Sequence, residues 1–374
     1  MSFPSPPLQP LGYFSGYMHL INFVHLVFYQ DYAGFVIKIL FIFQNMKEIL
    51  ITKENSNQRA DKFIRKFLND APLSFIYKTF RKKDVKVNGK WIKENYILKE
   101  NDILRIYIND EQIAEFNKPL DVSKVNLKTN LDIVYEDKNI LIVNKPKGLL
   151  AHGDSSEKRI TLSNMVLSYL YNKGEFKNDG ESYRPSPVHR LDRNTSGLVI
   201  FAKNLYSSQI MLDLLSEHSE IIKNYLLLTF NKPEKNEGVI DAPLFKDSTS
   251  GFVKVGKVES GAKEAKTLYE LLDSNDEYSL IKATLITGRT HQLRVHFASI
   301  NCPIVGDEKY GDFKKNKIFE KEYDYRTQFL IAYSLTFKEV PGELSYLSNK
   351  TFKARISNKE LSILNKITLK IKDF

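Results

Sequence analysis

The stretch "HRLDRNTSGLVIFA", residues 189–202, passes without transition from charged and small residues into an unbroken apolar run. Leu198, Val199, Ile200, Phe201 and Ala202 read as a buried strand, with the polar segment as the loop that delivers it. Such a strand needs a core to cover it, and 374 residues suffice for two domains and at least one large core. Within the loop, Asp192 is the lone acid, set between Arg190 and Arg193, with His189 ahead and Thr195-Ser196-Gly197 behind. Two readings of Asp192 are open from the residues alone. One is a surface turn capped by Asp; the other is a carboxylate held ionised so that it can attack.

Around this loop, residues 128–374 read as one larger domain. "LDIVYEDKNILIVNKPKGLLAHG" gives strand, turn, strand and a Pro/Gly bend; Leu162, Met165, Val166, Tyr169 and Leu170 mark a helix; "NLYSSQIMLDLLSEH" marks another. "KNYLLLTF", "AKTLYELL" and "YSLIKATLITG" are strands, and "GRTHQLRVHFASI" begins as a turn and continues as a helix. Strands dominate and no βαβ period repeats, so the expected class is α+β with a mixed, largely antiparallel sheet.

Residues 47–110 read as a small basic module, with residues 111–127 as a linker. Apolar residues at 60, 63, 64, 67 and 68 make the stripe of an amphipathic helix ended by Asn69-Asp70-Ala71-Pro72. Ser74 is placed to N-cap a second short helix running to "FRKK". "VKVNGKWI" alternates about Asn88-Gly89, a strong hairpin signal, and "ENDILRIYI" supplies a further turn and strand. Lys and Arg exceed Asp and Glu by 10 over the whole chain, and 13 basic against 6 acidic residues put +7 of net charge between Asn57 and Ile108. A polyanion is the partner such a balance favours, and cations around helix ends and a hairpin (Arg59, Lys62, Lys78, Arg81, Lys82, Lys83, Lys86) suit the RNA backbone.

The first 46 residues differ from the rest. They carry one Asp, one Lys and four prolines within the first ten positions. Leu11–Gln30 is uncharged over 20 residues, about bilayer length, but holds His19, Asn22, His25, two Gly and a Ser. No basic n-region and no convincing cleavage site mark a secretory signal. The expectation is a spurious or unstructured extension ahead of Met46, with a peripheral membrane anchor as the alternative.

Several chemistries are disfavoured. Cys302 is the only cysteine, which excludes an intrachain disulfide framework and points to a buried thiol in a reducing compartment. Seven histidines show no ligand spacing: His291 and His296 are five apart with no acid between them, so no metal site is expected. There is no G-x-S-x-G elbow and no P-loop or G-x-G-x-x-G. The arginine-flanked carboxylate is left. Arg289 and Arg294 in "GRTHQLRVH" offer further cations, and Tyr225 in "KNYLLLTF" offers a ring to stack on a base or a hydroxyl to move a proton. Attack on a pyrimidine or its sugar needs no metal, once the target has left its helix at a cost of a few kcal/mol.

"NKPKGLLAHG", "HRLDRNTSGLVIFAKN" and "GRTHQLRVHFASINCPIVGDEKYG", in this order behind a module resembling an S4 RNA-binding domain, resemble the RluA/RluC-type ribosomal large-subunit pseudouridine synthases. The resemblance runs from about residue 47 to the C-terminal region. It implies a small S4-type αα-β RNA-binding domain followed by a pseudouridine synthase catalytic domain, and isomerisation of uridine in large-subunit ribosomal RNA without a cofactor or metal. It further implies Asp192 as catalytic carboxylate, Tyr225 as active-site tyrosine and Arg294 as the partner of Asp192. Arg190 would be the wedge that fills the flipped base's space, and Leu293, where many members have Ile, would line the uracil pocket. Arg289 and His291 are expected to touch substrate. A cytoplasmic monomer is expected, and an S4-containing ribosome-assembly factor without catalysis is the alternative. The residues leave open whether Asp192 attacks C6 of the base, attacks C1′, or removes a proton from C2′.

Overall fold

The computed structural model describes residues 46–52, 55–68, 71–116, 131–153, 160–177, 183–216, 220–247 and 250–371. The extension over residues 1–45 and the linker from residue 117 onward lie outside the described residues.

The small module follows its sequence pattern closely. It comprises β1 (Lys47–Leu50), α1 (Ala60–Phe67), α2 (Leu73–Arg81), β2 (Val85–Val87), β3 (Lys90–Trp91) and β4 (Ile103–Ile106), with strand order β1-β4-β2-β3. The stripe on α1 is buried at Ala60, Phe63, Ile64 and Phe67, and packs with Ile76, Phe80, Val85 and Leu104. Asn88 and Gly89 both take positive φ, 50° and 80°, as the tight turn between β2 and β3 requires. Two details differ from expectation. The second helix starts at Leu73 with Pro72 at its N-cap and no side-chain cap, so Ser74 lies inside the first turn, where it cannot serve as the boundary residue. The expected linker also begins too early. Residues Asp110–Phe116 form α3, whose Ile113 and Phe116 pack on the small core, with Phe116 and Phe75 rings 4.7 Å apart.

The large domain is built from β5 (Ile133–Glu136), β6 (Ile140–Lys145), α4 (Leu162–Asn172), β7 (Ser186–Pro187), β8 (Ser196–Ala202), α5 (Leu205–Ser216) and β9 (Ile221–Phe230). It continues with β10 (Glu237–Asp241), the ribbon β11 (Leu244–Lys246) and β12 (Val253–Val255), then β13 (Lys266–Ser274), β14 (Tyr278–Leu285) and α6 (Gln292–Ser299). It ends with α7 (Phe313–Tyr323), β15 (Leu330–Phe337), β16 (Thr351–Lys353) and α8 (Asn358–Lys366). The main sheet has the order β10-β13-β14-β9-β15-β8-β6-β5, with β16 beside β15 and β7 beside β8. Every pairing is antiparallel except β15 with β8, so the sheet is mixed and largely antiparallel.

Both faces are covered, which is why β8 is apolar from Leu198 to Ala202. Leu198 and Ile200 join the core under α5 and α8, whereas Val199 and Phe201 join the opposite core with Leu162 of α4 and Leu293 and Phe297 of α6. The parallel junction sets the site. Ala332 of β15 stands in register with Gly197 of β8 on one side and Tyr225 of β9 on the other. Gly197, at φ 112°, is where the backbones come closest: a Cβ there would lie 2.2 Å from the Ala332 carbonyl oxygen. Gly197→Ala is therefore expected to cost about 3 kcal/mol or more of stability. A urea midpoint equal to wild type would show that β15 can yield.

Candidate active site

Loop 188–195 sits at the end of β8, and its shape is set from beneath. Lys145, the last residue of β6, is fully buried and pairs across the ladder with Gly197. Its Nζ donates to the carbonyl oxygens of Pro146 (2.9 Å), Leu149 (2.8 Å) and Arg193 (2.9 Å), which ties the "NKPKGLL" bend to the loop. Burial brings the ammonium down to about 7, against the opposing pull of the Asp192 charge. Nε2 of His189 accepts from the Ile200 amide at 3.2 Å, and burial, aided by the Lys223 charge, lowers its pKa to about 3. This histidine is a neutral anchor.

Asp192 does not cap its turn through its side chain. The Thr195 amide donates to the Asp192 main-chain oxygen at 3.1 Å, leaving the carboxylate directed elsewhere. Nη1 of Arg294 approaches Oδ2 at 3.4 Å, and Nε2 of His291 stands 3.9 Å from the same atom. Arg294 lies in the first turn of α6, and its main partner is one that sequence reasoning missed. Asp307 accepts from its Nε and Nη2, both at 2.7 Å, in a two-pronged pair that burial excludes almost wholly from water. Burial works against the guanidinium charge, but the Asp307 bonds, with a smaller share from Asp192, outweigh it and raise its pKa. Arg294 is thus a fixed cation presented to Asp192. Asp307 is itself held by the amides of Lys309 (2.8 Å) and Tyr310 (3.0 Å).

Tyr225 lies two strands from Gly197 on the same face of the sheet as α6, and is buried. Burial, then the Asp192 charge, push its phenol well above the ordinary tyrosine range, so it remains a protonated donor at neutral pH. All seven side chains expected at the site line one cleft of about 380 Å³: Asp192, Tyr225, Arg294, Arg190, Leu293, Arg289 and His291. Leu293 is buried in its wall, and Arg190 is exposed at its rim. Arg289 is exposed too, its Nε donating to the Glu264 carbonyl at 2.9 Å. The arrangement offers a carboxylate, a fixed cation behind it, a protonated phenol and an apolar wall.

The expected backbone-binding cations of the small module are not equivalent. Lys62, Lys78, Arg81, Lys82 and Lys83 are exposed, and Lys83 and Lys86 lie over the Trp91 and Tyr107 rings at 5.4 and 4.8 Å. Arg59 is already paired with Asp61 through two 3.0 Å bonds, so it has less to give to a phosphate. His296 is fully buried, with its ring nitrogens on Thr267 Oγ1 (2.9 Å) and the Ala242 carbonyl (3.0 Å). Cys302 is buried, and burial moves its thiol up to about 11. Among the described residues no group of three or more His, Cys, Asp or Glu is arranged to hold a metal, and no helix is long and apolar enough to cross a membrane.

Residues 139–299 match the family model for RNA pseudouridylate synthase. The chain is 37% identical over 311 residues to an uncharacterized RNA pseudouridine synthase of Mycoplasma capricolum, covering 82% of this chain and 96% of that protein. It is 32% identical to the ribosomal large subunit pseudouridine synthase C of Pasteurella multocida, covering 79% and 87% of the two chains. Among solved structures, human RNA pseudouridylate synthase domain containing 4 superposes with a TM-score of 0.52 at 23% identity, over 64% of this chain and 94% of that one, a likeness of fold.

Proposed function

Because this chain belongs to the RNA pseudouridine synthase family, we propose that it isomerises uridines of large-subunit ribosomal RNA to pseudouridine, with Asp192 as the reacting carboxylate. The observation that carries this reading is the convergence of Asp192, Arg294 and Tyr225, from three distant segments, on one cleft beside the parallel junction of the sheet. In the reaction N1–C1′ breaks, C5–C1′ forms, the proton on C5 departs and one arrives at N1, so no external oxidant or reductant is required. Arg294 holds the Asp192 carboxylate in place, the Tyr225 phenol donates to the base, Leu293 packs on it, and Arg190 enters the space that the flipped base vacates. A ribosomal RNA substrate supports a cytoplasmic site of action. The test is tritium release from C5-labelled uridine in 23S-type ribosomal RNA against transfer RNA of equal specific activity. Release from the first and not the second is expected; release from transfer RNA alone would reassign the substrate.

We read residues 47–116 as an S4-type RNA-binding unit that supplies affinity through phosphate contacts. The triple variant Arg81→Ala, Lys82→Ala, Lys83→Ala should weaken RNA binding and reduce the slope of log K against log salt by about 2–3, at roughly 0.7–0.9 per contact. Unchanged affinity and slope in a filter-binding titration would give these cations another role.

A further inference from the structure

His291 occupies a position for which its residue type is poorly suited locally. It is the N-cap of α6, yet its side chain caps nothing, and its backbone is left-handed at φ 55° and ψ 19°. Gly or Asn would take the left-handed conformation with less strain. The ring is engaged elsewhere. Its Nδ1 lies 2.9 Å from the Tyr310 hydroxyl, and its Nε2 faces Oδ2 of Asp192.

The bonding accommodates a hydrogen on Nε2. The Tyr310 oxygen accepts from the Val253 amide at 2.9 Å, and its remaining partner among the described residues is His291 Nδ1. With the hydroxyl donating to Nδ1, that nitrogen is bare and Nε2 carries the hydrogen, the form in which it can donate to Asp192. The Tyr310 ring is wedged against its neighbours, with Arg294 Cζ 5.1 Å from its centroid and the His291 ring at 5.6 Å. Both donors that approach the Asp192 side chain, His291 Nε2 and Arg294 Nη1, address Oδ2. Oδ1 has no partner among the described residues.

We propose that His291, oriented by Tyr310, is a positioning residue that holds Oδ2 of Asp192 together with Arg294 and so presents Oδ1 as the oxygen that meets the target nucleotide. This rests on Asp192 being the reacting carboxylate and holds for any of its three chemical routes. The 3.9 Å separation exceeds a hydrogen bond and closes when RNA fills the cleft, as loose contacts in empty sites commonly do. A neutral imidazole is the useful form. Protonated, it would pair with the carboxylate outright and quench it. The groups that face His291 are Asp192 from the loop, Arg294 on α6, and Asp307, Lys309 and Tyr310 from the segment after it; burial leads in keeping its pKa below the ordinary histidine value.

The test is single-turnover pseudouridine formation as a function of pH, beside RNA binding, in the full-length protein. His291→Phe should reduce the rate at saturating RNA on the order of 10²-fold, as loss of one preorganised donor does. Its acid limb should move to lower pH, because the imidazolium that quenches the wild-type carboxylate is gone. His291→Gln, which keeps an N–H near the place of Nε2, should recover most of the rate. Tyr310→Phe should lower the rate less, and add nothing on top of His291→Phe. Equal losses in the Phe and Gln variants with an unmoved acid limb would overturn the proposal, as would additive losses at 291 and 310. Wild-type rates in His291→Phe alongside an inactive Asp192→Asn would remove the relay alone. An active Asp192→Asn would remove the reading beneath it.

Discussion

Asp192→Asn is expected to abolish pseudouridine formation, a loss on the order of 10⁴-fold or more, while RNA affinity and thermal stability stay near wild type. Stability should hold because the turn bond in this loop is made by the main-chain oxygen of residue 192, which Asn retains. Nor does the substitution strand a charge. Arg294 keeps both of its 2.7 Å bonds to Asp307, so the cation behind the site remains satisfied. What is lost is the negative oxygen, and an amide supplies neither its nucleophilicity nor its basicity. Removing a negative charge should favour the RNA backbone if anything. Turnover within tenfold of wild type would take Asp192 out of the mechanism.

Asp307→Ala should have the largest effect on folding. Its carboxylate is buried, accepts twice from Arg294, and accepts again from the Lys309 and Tyr310 amides. Truncation leaves two amide donors without partners and the guanidinium with only its 3.4 Å contact to Asp192, at a cost of about 3–5 kcal/mol. The effect should be asymmetric. Adding Arg294→Met to Asp307→Ala removes the orphaned charge, so the double variant should regain part of the lost stability in urea denaturation while remaining inactive. A double variant less stable than Asp307→Ala would mean that the cation is satisfied by some other group.

The site was legible in the sequence where it is carried by residues within one motif, and illegible where it depends on contacts between motifs. Asp192, Tyr225 and Arg294 stand in segments whose resemblance to the RluA/RluC-type synthases points to them, and they line one cleft. Asp307 and Tyr310 sit in "GDEKYG", a charged run with no local pattern that marks burial. Asp307 is buried because Arg294, from a helix thirteen residues earlier, folds onto it. Lys145 follows Leu141, Ile142, Val143 and Asn144 as if the strand simply ended in solvent; its three carbonyl partners come from a bend and a loop that no local pattern joins to it. The same distinction governs the fold. The Asn88-Gly89 hairpin follows from turn chemistry over a few residues, whereas nothing in the periodicity announces that β15 enters the middle of the sheet parallel to β8. That crossover makes the junction on which the cleft is built.

The most direct test of the account is pseudouridine mapping of large-subunit ribosomal RNA from cells that lack this protein, complemented with either the wild-type chain or Asp192→Asn. Specific pseudouridines should disappear in the deletion, return with the wild type, and stay absent with Asp192→Asn expressed at the same level. An unchanged map in the deletion would contradict the assigned substrate. Restoration by Asp192→Asn would contradict the assigned chemistry.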